Sequence, residues 1–317
     1  MMFELPEVET VRRELDRDLV GKKVKTVEAS SMAVLKRYKN RKAFTGQLDD
    51  MKITGVGRRG LYLLIVLDGD STLVVNLGSS GSLRRNANKD KVEDSTEVVI
   101  TFTQHGQLRL VDPDGTAEMF VVDTAALADE IPELENHGLD PVDEPVSWTE
   151  FGRALLQRNV KLKTLLLDDT FVVGIGNLYA DEILYEAGLR FDRLSNSLSS
   201  QEIRRLHRAL VGTLHDAIKY RGTSLSDRPF VDPFGVPGDY AEHLAVFGKH
   251  GDLSSRSRLP IQRVKFGGVW TYFCDTRSDP RSSGRLGMID PADFHRESTG
   301  DGEFPQGRGL HGCNLGC

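Results

Sequence analysis

The chain has 317 residues, 39% hydrophobic and 28% charged, with a net charge of −6. That length exceeds one ordinary core and predicts two domains of a soluble globular protein. No run approaches the roughly 18 apolar residues of a membrane span, the N-terminus has no apolar signal core, and three cysteines are too few for a disulfide framework, so a cytoplasmic protein is expected.

The N-terminal stretch ELPEVETVRRELDRDLVG predicts a helix. Pro6 suits its first turn, Val8, Val11, Leu15 and Leu19 share one face, and Gly21 ends it. From 22 to 122 the pattern turns to short β segments separated by Gly, Asp and Asn: VKTVEAS, MKITGVG, LYLLIVLDG, TLVVNLG, STEVVITFT, QLRLVD and AEMFVV. Strands so evenly spaced predict a β-sandwich. Residues 123–150, with Pro132, Pro141 and Pro145, read as a solvated connection between domains. Helices follow at SWTEFGRALLQR, KLKTLLLDD, NLYADEILYEAG and SSQEIRRLHRALVGTLHDAIKYRG. Then come a Gly/Pro-rich loop over 222–240, a short helix at YAEHLAVFG, and a β-hairpin in IQRVKFGGVWTYFCD turning at Gly267–Gly268. The tail beyond about 279 is rich in Gly, Ser, Asp and Pro and is expected to be disordered.

Net charge averages over a surface, and binding does not. Residues 131–150 hold six acids and no Lys or Arg, so the rest of the chain is neutral. Basic residues outnumber acids by five over 249–285 and by three over 201–221. The stretch 151–167 carries Arg153, Arg158, Lys161 and Lys163 without an acid and reads as a basic helix. It leads into Gly174-Ile175-Gly176, with Asn177 placed to cap the next helix. Free amides at a helix N-terminus, glycines that permit close approach, the Asn177 side chain and the Lys163 charge would together hold a phosphate. The other reading of the same residues is a tight turn that packs and binds nothing.

ELPEVETVRREL, LLLDDTFVVGIGNLYADEILYEAG and AVFGKHG, in that order, resemble the formamidopyrimidine-DNA glycosylase/endonuclease VIII family over about residues 3–278. The resemblance implies an α+β multidomain fold. An N-terminal helix and β-sandwich occupy 1–130 and an acidic connection 131–150. A helix–two-turn–helix domain spans 151–245 and a finger-like β-hairpin 246–278, followed by the tail 279–317. It also implies base-excision repair: flipping of a damaged purine, attack on the sugar by an N-terminal proline amine, and strand cleavage.

Residue by residue, the chemistry implied by the resemblance is missing. Phe3 stands where the nucleophilic proline belongs, while Glu4 and Glu7 remain as the candidate catalytic residues; the other reading of the two is acids of a first helical turn, favourable with the helix dipole. Leu61 replaces the turn lysine that holds a phosphate. The three residues that fill the gap left by a flipped base become Ser79, Asp114 and Thr116. The four zinc cysteines of the finger fall on Ser254, Ser257, Cys274 and Arg277, so no metal site and no cofactor are expected. A substitute site would have to combine Cys274 with His311, Cys313 and Cys317, whose spacing is loose. The finger's phosphate arginine becomes Val269. Val264, Phe266, Trp270, Tyr272 and Phe273 read as packing, and Arg263 and Lys265 offer residual phosphate contact. Lys163, Gly174, Gly176 and Asn177 survive as candidate DNA-binding residues.

The expected protein is therefore a monomeric, nucleoid-associated binder of damaged or abasic duplex DNA, with no membrane partner, that has lost glycosylase and lyase catalysis. Two alternatives stay open: a glycosylase/lyase still active through altered residues, and an interaction protein that docks through its acidic connection.

Overall fold

The computed structural model describes residues 3–134 and 137–275. Helix α1 (Leu5–Leu19) forms where the apolar spacing places it, with Val8, Val11, Leu15 and Leu19 buried. The predicted strands appear as β1 (Val24–Ala29), β2 (Ile53–Arg59), β3 (Tyr62–Leu67), β4 (Ser71–Asn76), β6 (Thr96–Phe102), β7 (Gln107–Val111) and β8 (Glu118–Asp123). An unpredicted strand, β5 (Ser82–Asn86), carries Arg84 and Arg85 and lies at a sheet edge beside β7. Its polar residues hid it, because an edge strand need not alternate apolar side chains. A short helix, α2 (Arg41–Thr45), was also unforeseen; the Asn40 side chain accepts the Ala43 amide at its start.

The strands make two antiparallel four-stranded sheets, in the orders β1-β6-β7-β5 and β2-β3-β4-β8. Alternate residues such as Leu63, Ile65, Leu73, Val75, Val98, Ile100 and Leu108 pool with the inner face of α1 in one apolar core. That is the expected sandwich, closed along one flank by a helix.

The acidic connection is more than a solvated linker. It follows directly on α3 (Leu127–Glu130), and its Ile131 and Leu134 are buried against Val74, Phe120 and Val122 of β4 and β8. Further on, Asp140 pairs with the buried Arg58 of β2. Two apolar anchors and one ion pair fasten it, which proline and acid content do not reveal.

The helical layer contains α4 (Trp148–Leu156), α5 (Leu162–Leu166), α6 (Asn177–Ala187) and α7 (Ser200–Lys219). The stretch read as one basic helix is two, since α4 ends at Leu156 and α5 is only five residues long. Ser147 caps α4 through the Glu150 amide, and Ser199 with Glu202 forms a capping box on α7. Gly188, with φ of +65°, closes α6 in the left-handed conformation. YAEHLAVFG yields only a 3-10 turn over Tyr240–His243. The hairpin is β9 (Gln262–Phe266) and β10 (Val269–Phe273), turning at Gly267–Gly268 as expected. The predicted disordered tail, 279–317, lies outside the described residues, and no described helix is long and apolar enough to cross a membrane.

Candidate active site and nucleic-acid interface

Two carboxyl groups meet where α1, the start of α6 and the 222–240 loop converge. Glu4, immediately before α1, is 3% exposed. Its carboxylate accepts the backbone amides of Gly176 (2.8 Å), Leu178 (3.1 Å) and Tyr179 (3.2 Å). These are the orphan donors of the first turn of α6. An internal carboxylate thus occupies the helix end where a phosphate was expected. Asn177 is not the cap; it is the first helical residue, and Gly176 holds the cap position.

Glu7, one turn further along α1, accepts the Tyr179 hydroxyl (2.6 Å), the Thr223 amide (2.8 Å) and the Glu4 amide (3.1 Å). The Arg228 guanidinium lies 3.7 Å from Glu4. Burial, and then the charge of Glu7, push the Glu4 carboxyl up to about 7 despite Arg228 and the Tyr179 and Leu178 amides. Burial raises Glu7 as well. Both carboxyls therefore hold a proton more tightly than acids exposed on a first helical turn would.

The surviving glycines serve this junction. Gly174 has φ of +71°, and a Cβ there would stand 2.9 Å from Leu61 Cδ2 and 3.0 Å from Leu5 Cβ. A Cβ on Gly176 would overlap the Glu4 carboxylate. We expect Gly176→Ala to cost about 1–3 kcal/mol in urea denaturation, the usual range for overpacking. Gly212→Ala, in the middle of α7 with open space around it, should instead be neutral or stabilising by up to about 1 kcal/mol.

Lys163 does not reach the surface. Its side chain is 0% exposed, and Nζ donates to Asp181 (2.6 Å) and to Thr271 Oγ1 (2.7 Å). Asp181 in turn accepts the Tyr272 amide at 2.8 Å. A lysine read as a phosphate grip is in fact a pin between α5, α6 and β10. The Asn177 amide group donates to the Trp270 carbonyl (3.0 Å), so it too is spent on holding the hairpin.

The positions assigned to the amine and the turn lysine are apolar contacts. The Phe3 ring meets Phe230 edge-on at 5.4 Å, and Leu61 packs with Phe3 against the sandwich core. Ser79 and Thr116 hydrogen-bond each other (3.1 Å), and the Asp114 amide donates to Ser80 Oγ (3.3 Å). These three positions form small polar turns with no bulk to wedge into a duplex.

In the finger, Ser254 is buried and its hydroxyl meets that of Tyr185 at 2.8 Å. Ser257 Oγ lies 2.8 Å from Cys274 Sγ. Two hydroxyls and one thiol do not fit structural zinc, which wants four N or S ligands. Among the described residues no cluster of His, Cys, Asp and Glu is large enough to hold a metal. Arg277, His311, Cys313 and Cys317 lie outside the described residues. Arg263 and Lys265 are exposed on β9, as a phosphate contact requires. Trp270 and Val264, read as packing, are 42% and 38% exposed, and Val269, at the position of the finger's phosphate arginine, is 37% exposed.

Tyr179, Thr223, Arg228, Asp181, Thr271 and Phe230 were not foreseen as parts of the site. Each acts through a residue far away in the chain, so no local spacing marks it.

Two family models match: the formamidopyrimidine-DNA glycosylase N-terminal domain over residues 2–119 and the formamidopyrimidine-DNA glycosylase H2TH domain over 137–228. A formamidopyrimidine-DNA glycosylase of Pelotomaculum thermopropionicum is 38% identical, covering 87% of this chain and 98% of its own. One from Thermus thermophilus is 35% identical with the same coverage. A solved complex of Lactococcus lactis Fpg with DNA containing an abasic site superposes with a TM-score of 0.77 at 31% identity, over 86% of this chain and 97% of that one. With both family models matched and relatives of this identity covered nearly end to end, this chain belongs to the formamidopyrimidine-DNA glycosylase family.

Proposed function

We propose that this protein binds damaged or abasic duplex DNA and does not perform the N-terminal amine chemistry expected from the resemblance. The observation that carries this reading is Phe3. Imine formation at a sugar needs a free amine held at the reacting carbon. Phe3 offers an in-chain amide and a ring packed on Phe230. Leu61 supplies no cation beside it. DNA engagement is supported by family membership, by the likeness to the Lactococcus lactis complex, and by the exposed Arg263 and Lys265. In this reading the protein acts as a monomer.

Borohydride trapping on abasic duplex, run beside a gel shift, tests both halves. We expect a salt-dependent shift, no covalent adduct and no strand cleavage. An adduct or cleavage would overturn the loss of catalysis. No shift at low salt would overturn DNA binding.

One observation favours the reading in which activity persists. A carboxyl pushed up to about 7, as at Glu4, suits general acid–base work at neutral pH. If cleavage is seen, Glu4→Gln should abolish it; unchanged cleavage would remove Glu4 from the chemistry.

A further inference from the structure

Within the DNA-binding reading, we propose that the exposed face of the β9–β10 hairpin is a stacking platform for an unpaired nucleobase, with Trp270 as the stacking ring and Arg263 and Lys265 as its phosphate contacts.

The hairpin register sorts its side chains. Trp270 lies opposite Lys265, and Tyr272 opposite Arg263, so these four share one face. The other face carries Phe266 and Phe273, whose rings meet Phe191 of the helical layer at 5.3 and 5.0 Å. The Trp270 face is open at its Trp270–Lys265 end, while Tyr272 further along it packs on Phe247 at 5.0 Å. Trp270 is 42% exposed, with the exposed Arg263 and Lys265 beside it on the same face.

Both cations lie over that ring, Arg263 at 4.5 Å and Lys265 at 5.5 Å from its centre. The stretch Gln262–Phe273 contains no acid. No acid on these two strands neutralises the pair. An aromatic ring beside uncompensated cations is the arrangement that holds single-stranded nucleic acid without reading its sequence.

The ring is also held in place from behind. The Trp270 carbonyl accepts the Asn177 side chain at 3.0 Å, and the neighbouring Thr271 hydroxyl is fixed by buried Lys163 at 2.7 Å. A platform whose backbone is already ordered loses less entropy when a base stacks on it. The partner is an unpaired base because a fully paired duplex keeps its base faces covered. An abasic site leaves the opposite base without a partner, and Ser79, Asp114 and Thr116 offer no bulk to receive it.

The chain has two tryptophans, so Trp148→Phe leaves Trp270 as the single indole reporter. Its emission is followed during titration with a single-stranded oligonucleotide, a duplex bearing an abasic site, a fully paired duplex and inorganic polyphosphate. We expect quenching by about half or more with the first two. The paired duplex should give much less and polyphosphate none. Trp270→Ala should weaken single-strand binding by about 10-fold, in line with the loss of one base–aromatic stack. The difference between wild-type and Trp270→Phe spectra gives the same readout should the Trp148 variant misfold. DNA that shifts on gels while Trp270 emission stays constant overturns the platform and leaves the DNA-binding reading intact. Equal quenching by polyphosphate overturns stacking in favour of charge alone. No shift with any DNA overturns both.

Discussion

Replacing Lys163 by methionine should lower the free energy of unfolding by about 3–5 kcal/mol, the cost of leaving one buried charge without its partner. Asp181 is the charge left behind, and its side chain is 0% exposed. Burial already pushes the Asp181 carboxyl up to about 6 with the lysine present, and burial likewise lowers the Lys163 ammonium. Without the lysine, Asp181 must take up a proton or let in water. The Thr271 hydroxyl loses its donor in the same step, so the hairpin should loosen where it meets α6. Urea denaturation gives the energy, and amide exchange over 271–273 gives the location. The double variant Lys163→Met with Asp181→Asn should recover much of the loss, because the uncompensated charge is gone. A single-variant cost under about 1 kcal/mol would mean that the pair is solvated and is not the pin described above.

The second large effect is a pH dependence centred on Glu4. Its carboxyl binds a proton more tightly in the fold, at about 7, than in the unfolded chain, at an ordinary 4.5. The stability gained from that proton is complete below about 4.5 and declines as pH rises toward 7. Above 7 it is lost, because both states are then ionised. A shift of this size corresponds to about 3 kcal/mol. Glu7 and Asp181 act with the same sign, whereas the lowered Glu9 and Glu202 oppose them. The informative quantity is therefore the difference between wild type and Glu4→Gln, measured by denaturation from pH 4 to pH 8. Wild type should lose about 3 kcal/mol relative to the variant across that range. A flat difference curve would show that the three α6 amides and Arg228 keep Glu4 ionised throughout.

Both effects arise from groups that looked different in the linear chain. Lys163 read as a surface cation because its neighbours Arg158 and Lys161 are basic. It is enclosed by α6, through Asp181, and by β10, through Thr271. Glu4 and Glu7 read either as retained catalytic residues or as acids of a first helical turn, and neither reading reveals their burial. They are buried because the 222–240 loop and α6 close over them, with Thr223 and Tyr179 as hydrogen-bond partners. The glycine bracket was legible as a place of close approach, but the approaching anion is a carboxylate of the same chain. Trp270 shows the opposite error: an aromatic residue in a strand was taken as packing, and the register turns it outward.

The linear order of residues was enough for α1, seven of the sandwich strands, the hairpin turn and the family. These rest on periodicity, turn chemistry and residue identity, all of which are local. The partners of the charged groups were not legible. Glu4 meets amides 172 to 175 residues away, Lys163 meets Thr271 108 residues away, and Arg58 meets Asp140 82 residues away. A side chain's burial and its counter-charge are properties of segments brought together by packing. No spacing within one segment encodes them.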